Sequence, residues 1–96
     1  MEDKRKKILV VSELMKVISN SIRLEILCYL EQGEMSVNEI KEKIQGISQP
    51  AISQHLNLLK MNKILTTEKR GQHVYYRISD LRVISLMNSI RQIFCS

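Results

Sequence analysis

A chain of 96 residues suits one domain, spanning 1–96, and leaves no room for a second. Hydrophobic residues make up 44% and charged residues 26%, with one proline and no tryptophan, which excludes a disordered chain and a disulfide scaffold. Fifteen Lys and Arg against ten Asp and Glu give a formal charge of +5, a balance that suits an anionic partner such as nucleic acid.

The N-terminus begins with the basic run Lys4-Arg5-Lys6-Lys7, followed by Ile8-Leu9-Val10-Val11. Four apolar residues are too few for the core of a signal peptide or for a membrane span. The expectation is a cytoplasmic protein with no membrane contact, whose two cysteines, Cys28 and Cys95, are ordinarily reduced.

From about residue 4 to 18, Ile8, Val11, Leu14, Met15 and Ile18 recur at helical spacing, predicting a first helix. Ser19-Asn20 offers the cap of a second helix over 21–31, which Gly33 stops. Ser36-Val37-Asn38-Glu39 has the form of a capping box, in which serine and glutamate each satisfy the other's free backbone amide. It predicts a short third helix ending near residue 44. Gln45-Gly46-Ile47 makes a tight turn, and Ser48 caps a fourth helix that tolerates Pro50 in its first turn and runs to about residue 61.

The pattern then changes. Residues 65–70 and 73–78 read as two strands joined by Gly71-Gln72, the second strand being β-branched and aromatic. Ser79 is expected to cap a last helix over 80–94, with Leu81, Ile84, Met87, Ile90, Ile93 and Phe94 apolar. The fold class is mainly α with a β-hairpin: a winged helix-turn-helix of order α-α-α-α-β-β-α.

The fourth helix carries the chemistry. At about 100° per residue, Ile52, Leu56 and Leu59 share one face. Pro50, Ser53, Gln54 and Asn57 take the opposite face, with Gln49 and His55 at its borders. One reading is a solvated polar face. The other is base recognition, because Gln and Asn pair bidentately with adenine and Ser both donates and accepts. The turn grammar before the helix favours the second reading. Lys69, Arg70, His73 and Arg77 give the hairpin a basic tip, suited to phosphates. Any one of these charges is also an ordinary solvated side chain.

The segments "ISNSIRLEILCYL", "MSVNEI", "ISQPAISQHLNLLKMNKIL" and "RGQHVYYRI" together resemble the ArsR family of dimeric bacterial winged-helix repressors, over nearly the whole chain. The run Ser48-Gln49 with Ser53-Gln54-His55-Leu56 is the most specific part. The resemblance implies that the fourth helix is the recognition helix, using Gln49, Ser53, Gln54, His55 and Asn57, with Lys69, Arg70 and His73 on the wing. It implies a homodimer through the first and last helices, bound to double-stranded operator DNA. Two-fold symmetry predicts an imperfect palindrome with half-sites about one or two turns apart.

Many members of that family sense metals, but the usual positions are empty here. Residues 35–39 contain no cysteine, and the last helix has Asp80 but no histidine. No metal site and no cofactor is expected. Neither Cys-x-x-Cys, nor a Gly-rich phosphate loop, nor an acid/base cluster is present, so no catalytic residue and no enzyme activity is expected.

The two cysteines remain. Cys28 lies off the Ile22, Ile26, Leu27 and Leu30 stripe of its helix, beside Leu24, on the side the terminal helices should cover. A subgroup of the family, the persulfide and redox sensors of the BigR, SqrR and HlyU type, has one cysteine in the "ILC" run and one at the end of the last helix after an "IxxLYC"-like run, where this chain has Phe94 in place of the tyrosine. The resemblance implies that Cys28 and Cys95 are sensing thiols, bridged by a disulfide or polysulfide when reactive sulfur species or oxidants arrive as inducer. Arg91, one turn before Cys95, is a candidate for favouring a thiolate, while the C-terminal end of the helix works the other way, so the sequence decides nothing about the thiol pKa. Three alternatives stay open: an inert buried Cys28 with an exposed Cys95, a thiophilic metal or metalloid bridging the same thiols, and a regulator or anti-repressor with no chemical input.

Overall fold

The computed structural model describes residues 2–95. The elements run α1 (Glu2–Ile18), α2 (Ser21–Glu31), β1 (Met35–Ser36), α3 (Val37–Lys43), α4 (Gln49–Met61), β2 (Leu65–Arg70), β3 (His73–Ile78) and α5 (Leu81–Phe94). This is the expected winged helix-turn-helix order with one addition. Met35 and Ser36 pair with Tyr76 and Tyr75, making an antiparallel sheet of order β1-β3-β2. A two-residue strand carries no periodicity for a sequence to reveal.

Local chemistry explains most boundaries. Asn20 Oδ1 accepts from the amides of Ile22 at 2.9 Å and Arg23 at 3.1 Å, capping α2. The capping box at Ser36 and Glu39 forms in both directions, at 2.9 and 3.2 Å. In the hairpin, Arg70 pairs with His73, so Gly71 and Gln72 alone make the turn. Gly71 has φ 63°, the left-handed backbone that tight two-residue hairpins assign to glycine.

Two ends differ from expectation. Asp80, not Ser79, caps α5: its carboxylate accepts from the amide of Arg82 at 2.9 Å, so the helix starts at Leu81 rather than at 80. A carboxylate suits the positive end of a helix better than a hydroxyl. Ser79 is occupied elsewhere, its hydroxyl donating to the carbonyls of Lys63 at 3.2 Å and Ile64 at 3.3 Å. The second difference is at the end of α4. The Ile64 amide bonds back to Leu59 and the Lys63 amide to Lys60, a Schellman closure that puts Lys63 at φ 61°. Lysine there gave no glycine signal to read.

One core holds the elements together. Ile26, Leu27, Ile40, Ile44, Ile52, Leu56, Leu59, Ile64, Val83 and Met87 are all fully buried. α1 meets it only through its last turns: Ile18 is buried, whereas every side chain from Asp3 to Glu13 is exposed. On α5 the buried pair is Val83 and Met87, and Leu81, Ile93 and Phe94 lie on the outside.

Candidate nucleic-acid interface and thiol cleft

The core fixes the orientation of α4. With Ile52, Leu56 and Leu59 wholly buried, Gln49, Pro50, Ser53, Gln54 and Asn57 are left exposed together. Ser48 Oγ caps the helix, accepting from the Ala51 amide at 3.3 Å. The face is polar without being charged, and close approach to base edges needs such a surface. His55 departs from this group. It is half-buried, with Nδ1 3.3 Å from the guanidinium of Arg23 on α2. Burial, and then the Arg23 cation, hold its pKa below the ordinary histidine value.

The wing lies beside the start of α4. Gln49 and His73 share a groove of about 220 Å³ with Ser36, Asn38 and Gln72. Sequence reasoning missed Asn38 and Gln72; an amide at the start of α3 and another at the hairpin turn were their only signal. Lys69 is exposed and has no ion pair among the described residues. Arg70 is exposed but occupied. It pairs with Glu34, lies 3.6 Å from Glu68, and stacks over Tyr75 at 4.0 Å from the ring centroid. Of the two adjacent wing cations, Lys69 is the freer.

The thiols line a separate cleft, which shares no lining residue with the groove at Gln49 and His73. Cys28 on α2 is half-buried, Cys95 is the exposed C-cap of α5, and both are free. They line one cleft of about 480 Å³ with Glu25, Tyr29, Gln32 and Arg91. Arg91, which lines the cleft with both thiols, is engaged by a carboxylate. It donates to Glu31 at 3.2 and 3.4 Å, and Asn88 donates to the same carboxylate at 3.0 Å. The hydrogen bond from Asn88 leads in holding the Glu31 pKa below the usual carboxylate range, with Arg91 adding to it. This clamp ties α2 to α5 at the rim of the cleft. Burial pushes the Cys28 thiol up, and Cys95, Glu31 and Glu25 push it the same way. Cys28 is therefore protonated near neutral pH, and the exposed Cys95 is the more accessible thiol. Among the described residues no three of His, Cys, Asp and Glu gather as a metal-ligating group, and no helix is long and apolar enough to cross a membrane.

Known proteins share this plan. The family model described as "Bacterial regulatory protein, arsR family" matches residues 20–64, which take in α2, α3 and α4. The biofilm growth-associated repressor of Xylella fastidiosa strain Temecula1 is 36% identical over 95 residues, covering 99% of this chain and 82% of its own length. The transcriptional activator HlyU of Vibrio cholerae is 35% identical over 82 residues, covering 85% and 75%. Among solved structures, reduced HlyU from Vibrio cholerae N16961 superposes with a TM-score of 0.94 at 31% identity, over the full length of both chains. The protein belongs to the ArsR family of bacterial regulatory proteins and is a DNA-binding transcriptional regulator, not an enzyme.

Proposed function

We propose that this regulator is a repressor that binds an imperfectly palindromic operator as a homodimer in the cytoplasm, and leaves it when Cys28 and Cys95 react with reactive sulfur species or oxidants. The observation that carries the reading is the shared cleft: two free thiols from helices far apart in sequence face the same space. The name of the Xylella relative, a repressor, supports the direction of regulation.

Each part has a physical role. Gln49, Ser53, Gln54 and Asn57 read bases from α4, while Lys69 and His73 meet the backbone. Ile8, Val11 and Met15 on α1, with Leu81, Ile93 and Phe94 on α5, are apolar and exposed, and a second copy covers them. Cys95, the open thiol, reacts first. With a persulfide donor RSSH, its thiolate takes the outer sulfur, giving Cys95–SSH and releasing RSH. Cys28 then attacks the Cys95 sulfur and expels hydrogen sulfide, leaving a Cys28–Cys95 disulfide. With peroxide, Cys95 becomes the sulfenic acid and Cys28 expels water. A bridge requires Cα atoms about 4.4–6.8 Å apart, so closing it sets the spacing of α2 and α5.

Intact-protein mass spectrometry after glutathione persulfide, peroxide and arsenite, paired with operator release, tests the sensing step. The expected products are Cys95 modified first, then the Cys28–Cys95 bridge. If Cys28→Ser and Cys95→Ser variants release DNA as the wild type does with every agent, the dithiol reading fails. Arsenite adducts without sulfur products would move the assignment to a thiophilic ligand. For the DNA surface, Gln54→Ala and Ser53→Ala should lose sequence preference. Lys69→Ala should weaken all duplexes alike and reduce the salt slope by about one. Equal losses on random DNA for all three would remove α4 as the reader.

A further inference from the structure

Arg23 is half-buried on α2, yet among the described residues no carboxylate pairs with it. Its donors go instead to two neutral acceptors. Nε donates to the Val17 carbonyl in the last turn of α1, and Nη1 lies 3.3 Å from Nδ1 of His55 on α4. One side chain thus joins three helices.

The chemistry of that contact has a consequence for DNA reading. A guanidinium has only donors and keeps its charge at any pH the fold survives. Nδ1 of His55 must therefore accept, which leaves the ring's single proton on Nε2. The two ring nitrogens diverge, so Nε2–H faces away from Arg23. A protonated ring would have no acceptor for Arg23 and would set two cations together, which agrees with the lowered His55 pKa. His55 lies one residue beyond Gln54, at the edge of the exposed polar face of α4.

We infer that Arg23 is a positioning residue for DNA recognition: it holds His55 in the Nε2–H tautomer, so that the imidazole presents one donor and no acceptor to the duplex. The complementary groups on DNA are acceptors on base edges: guanine O6 or N7, adenine N7 or thymine O4. A cytosine or adenine amino group offers His55 nothing. The inference rests on α4 being the reading helix, but the tautomer can be measured without DNA.

The first measurement is the ¹⁵N and ¹³C spectrum of the His55 ring in the free protein, near neutral pH. The expected pattern is a protonated Nε2 and an unprotonated Nδ1. Arg23→Lys, also a pure donor, should keep it, and Arg23→Met should release a mixture of tautomers. The second measurement is affinity for a duplex that the wild-type protein selects from a random library, against an unselected duplex. His55→Gln carries an amide donor to the Nε2 position and should keep most of the preference. His55→Asn reaches only the Nδ1 position and should lose about tenfold on the selected duplex with little change on the other. An Nδ1–H ring in the wild type overturns the inference, as does a His55→Asn variant that selects like the wild type. Loss of preference in Gln54→Ala alongside either result would leave α4 as the reader and remove only the role of His55. Thermal melting of each variant shows whether it has folded.

Discussion

Helices α4 and α5 have the same plan and opposite finishes. Each buries one apolar face: Ile52, Leu56 and Leu59 on α4, Val83 and Met87 on α5. On α4 the side chains left outside include Gln49, Ser53, Gln54 and Asn57, ready for water or for base edges, with Leu58 and Met61 apolar toward its end. On α5 they include Leu81, Ile93 and Phe94 at 76, 71 and 79% exposure. One surface offers mainly hydrogen-bonding groups, and the other leaves large apolar side chains open to water.

The largest effect is expected where α4 meets the core. Leu56 has no exposed surface and is ringed by other fully buried side chains, so Leu56→Ala leaves a cavity. The cost should be about 3 kcal/mol, read from urea or thermal unfolding. A loss below about 1 kcal/mol would mean that α4 is not held by its inner face.

The second prediction concerns the apolar face of α5. In the proposed homodimer a second copy covers the exposed Phe94, so Phe94→Glu should weaken self-association by about 2 kcal/mol or more, a charge replacing an aromatic in each copy. Sedimentation would show this as a shift toward monomer, with unfolding of the monomer little changed because Phe94 touches so little of its own chain. An unchanged association constant would separate the apolar face of α5 from the dimer.

How much of this was legible in the sequence follows the range of the interaction. The α4 faces, the capping box at Ser36 and the hairpin at Gly71 are decided within a few residues, and each was readable. The Asp80 cap was misread as Ser79 because the choice depends on Ser79 reaching the carbonyls of Lys63 and Ile64. The contacts that give the site its electrostatics are long-range. Arg23 meets His55 across 32 positions, Arg70 meets Glu34 across 36, and Arg91 meets Glu31 across 60. No local pattern marks which carboxylate an arginine will find. The sequence could therefore mark Arg70 and Arg91 as cations near the wing and the thiols, while only the fold shows that each is paired with a glutamate.

The third prediction tests the tether of α5. Glu31 has only 7% of its side chain exposed, and Arg91 keeps 42% in water, so removing the pair should cost about 1 kcal/mol. Glu31→Gln should also change the pH dependence. The folded carboxyl is held below its unfolded value, so its contribution is complete above the ordinary carboxylate range and is lost as pH falls through the lower, folded value. The variant should lose less stability than the wild type between neutral pH and strong acid. Glu39 and Asp80 are also held low and should still destabilise both proteins in acid. Parallel acid-unfolding curves would mean that the clamp is not formed in solution.

The smallest effect lies back on the reading side. Arg70 is shared between Glu34, Glu68 and the ring of Tyr75, whereas Lys69 beside it has none of these partners. A cation already facing two carboxylates releases few counterions when DNA arrives. Glu34→Ala removes the nearer carboxylate and leaves Arg70 stacked on Tyr75, still within reach of a phosphate. Affinity for any duplex should then rise about two- to threefold at moderate salt, with a slightly steeper salt slope. Sequence preference should stay the same, because phosphate contacts carry no base information. A fall in affinity would instead make the Glu34 pair a support that holds the wing against the start of α3. The wing would then belong, with the inner face of α4, to the part of the molecule whose shape is fixed before DNA binds.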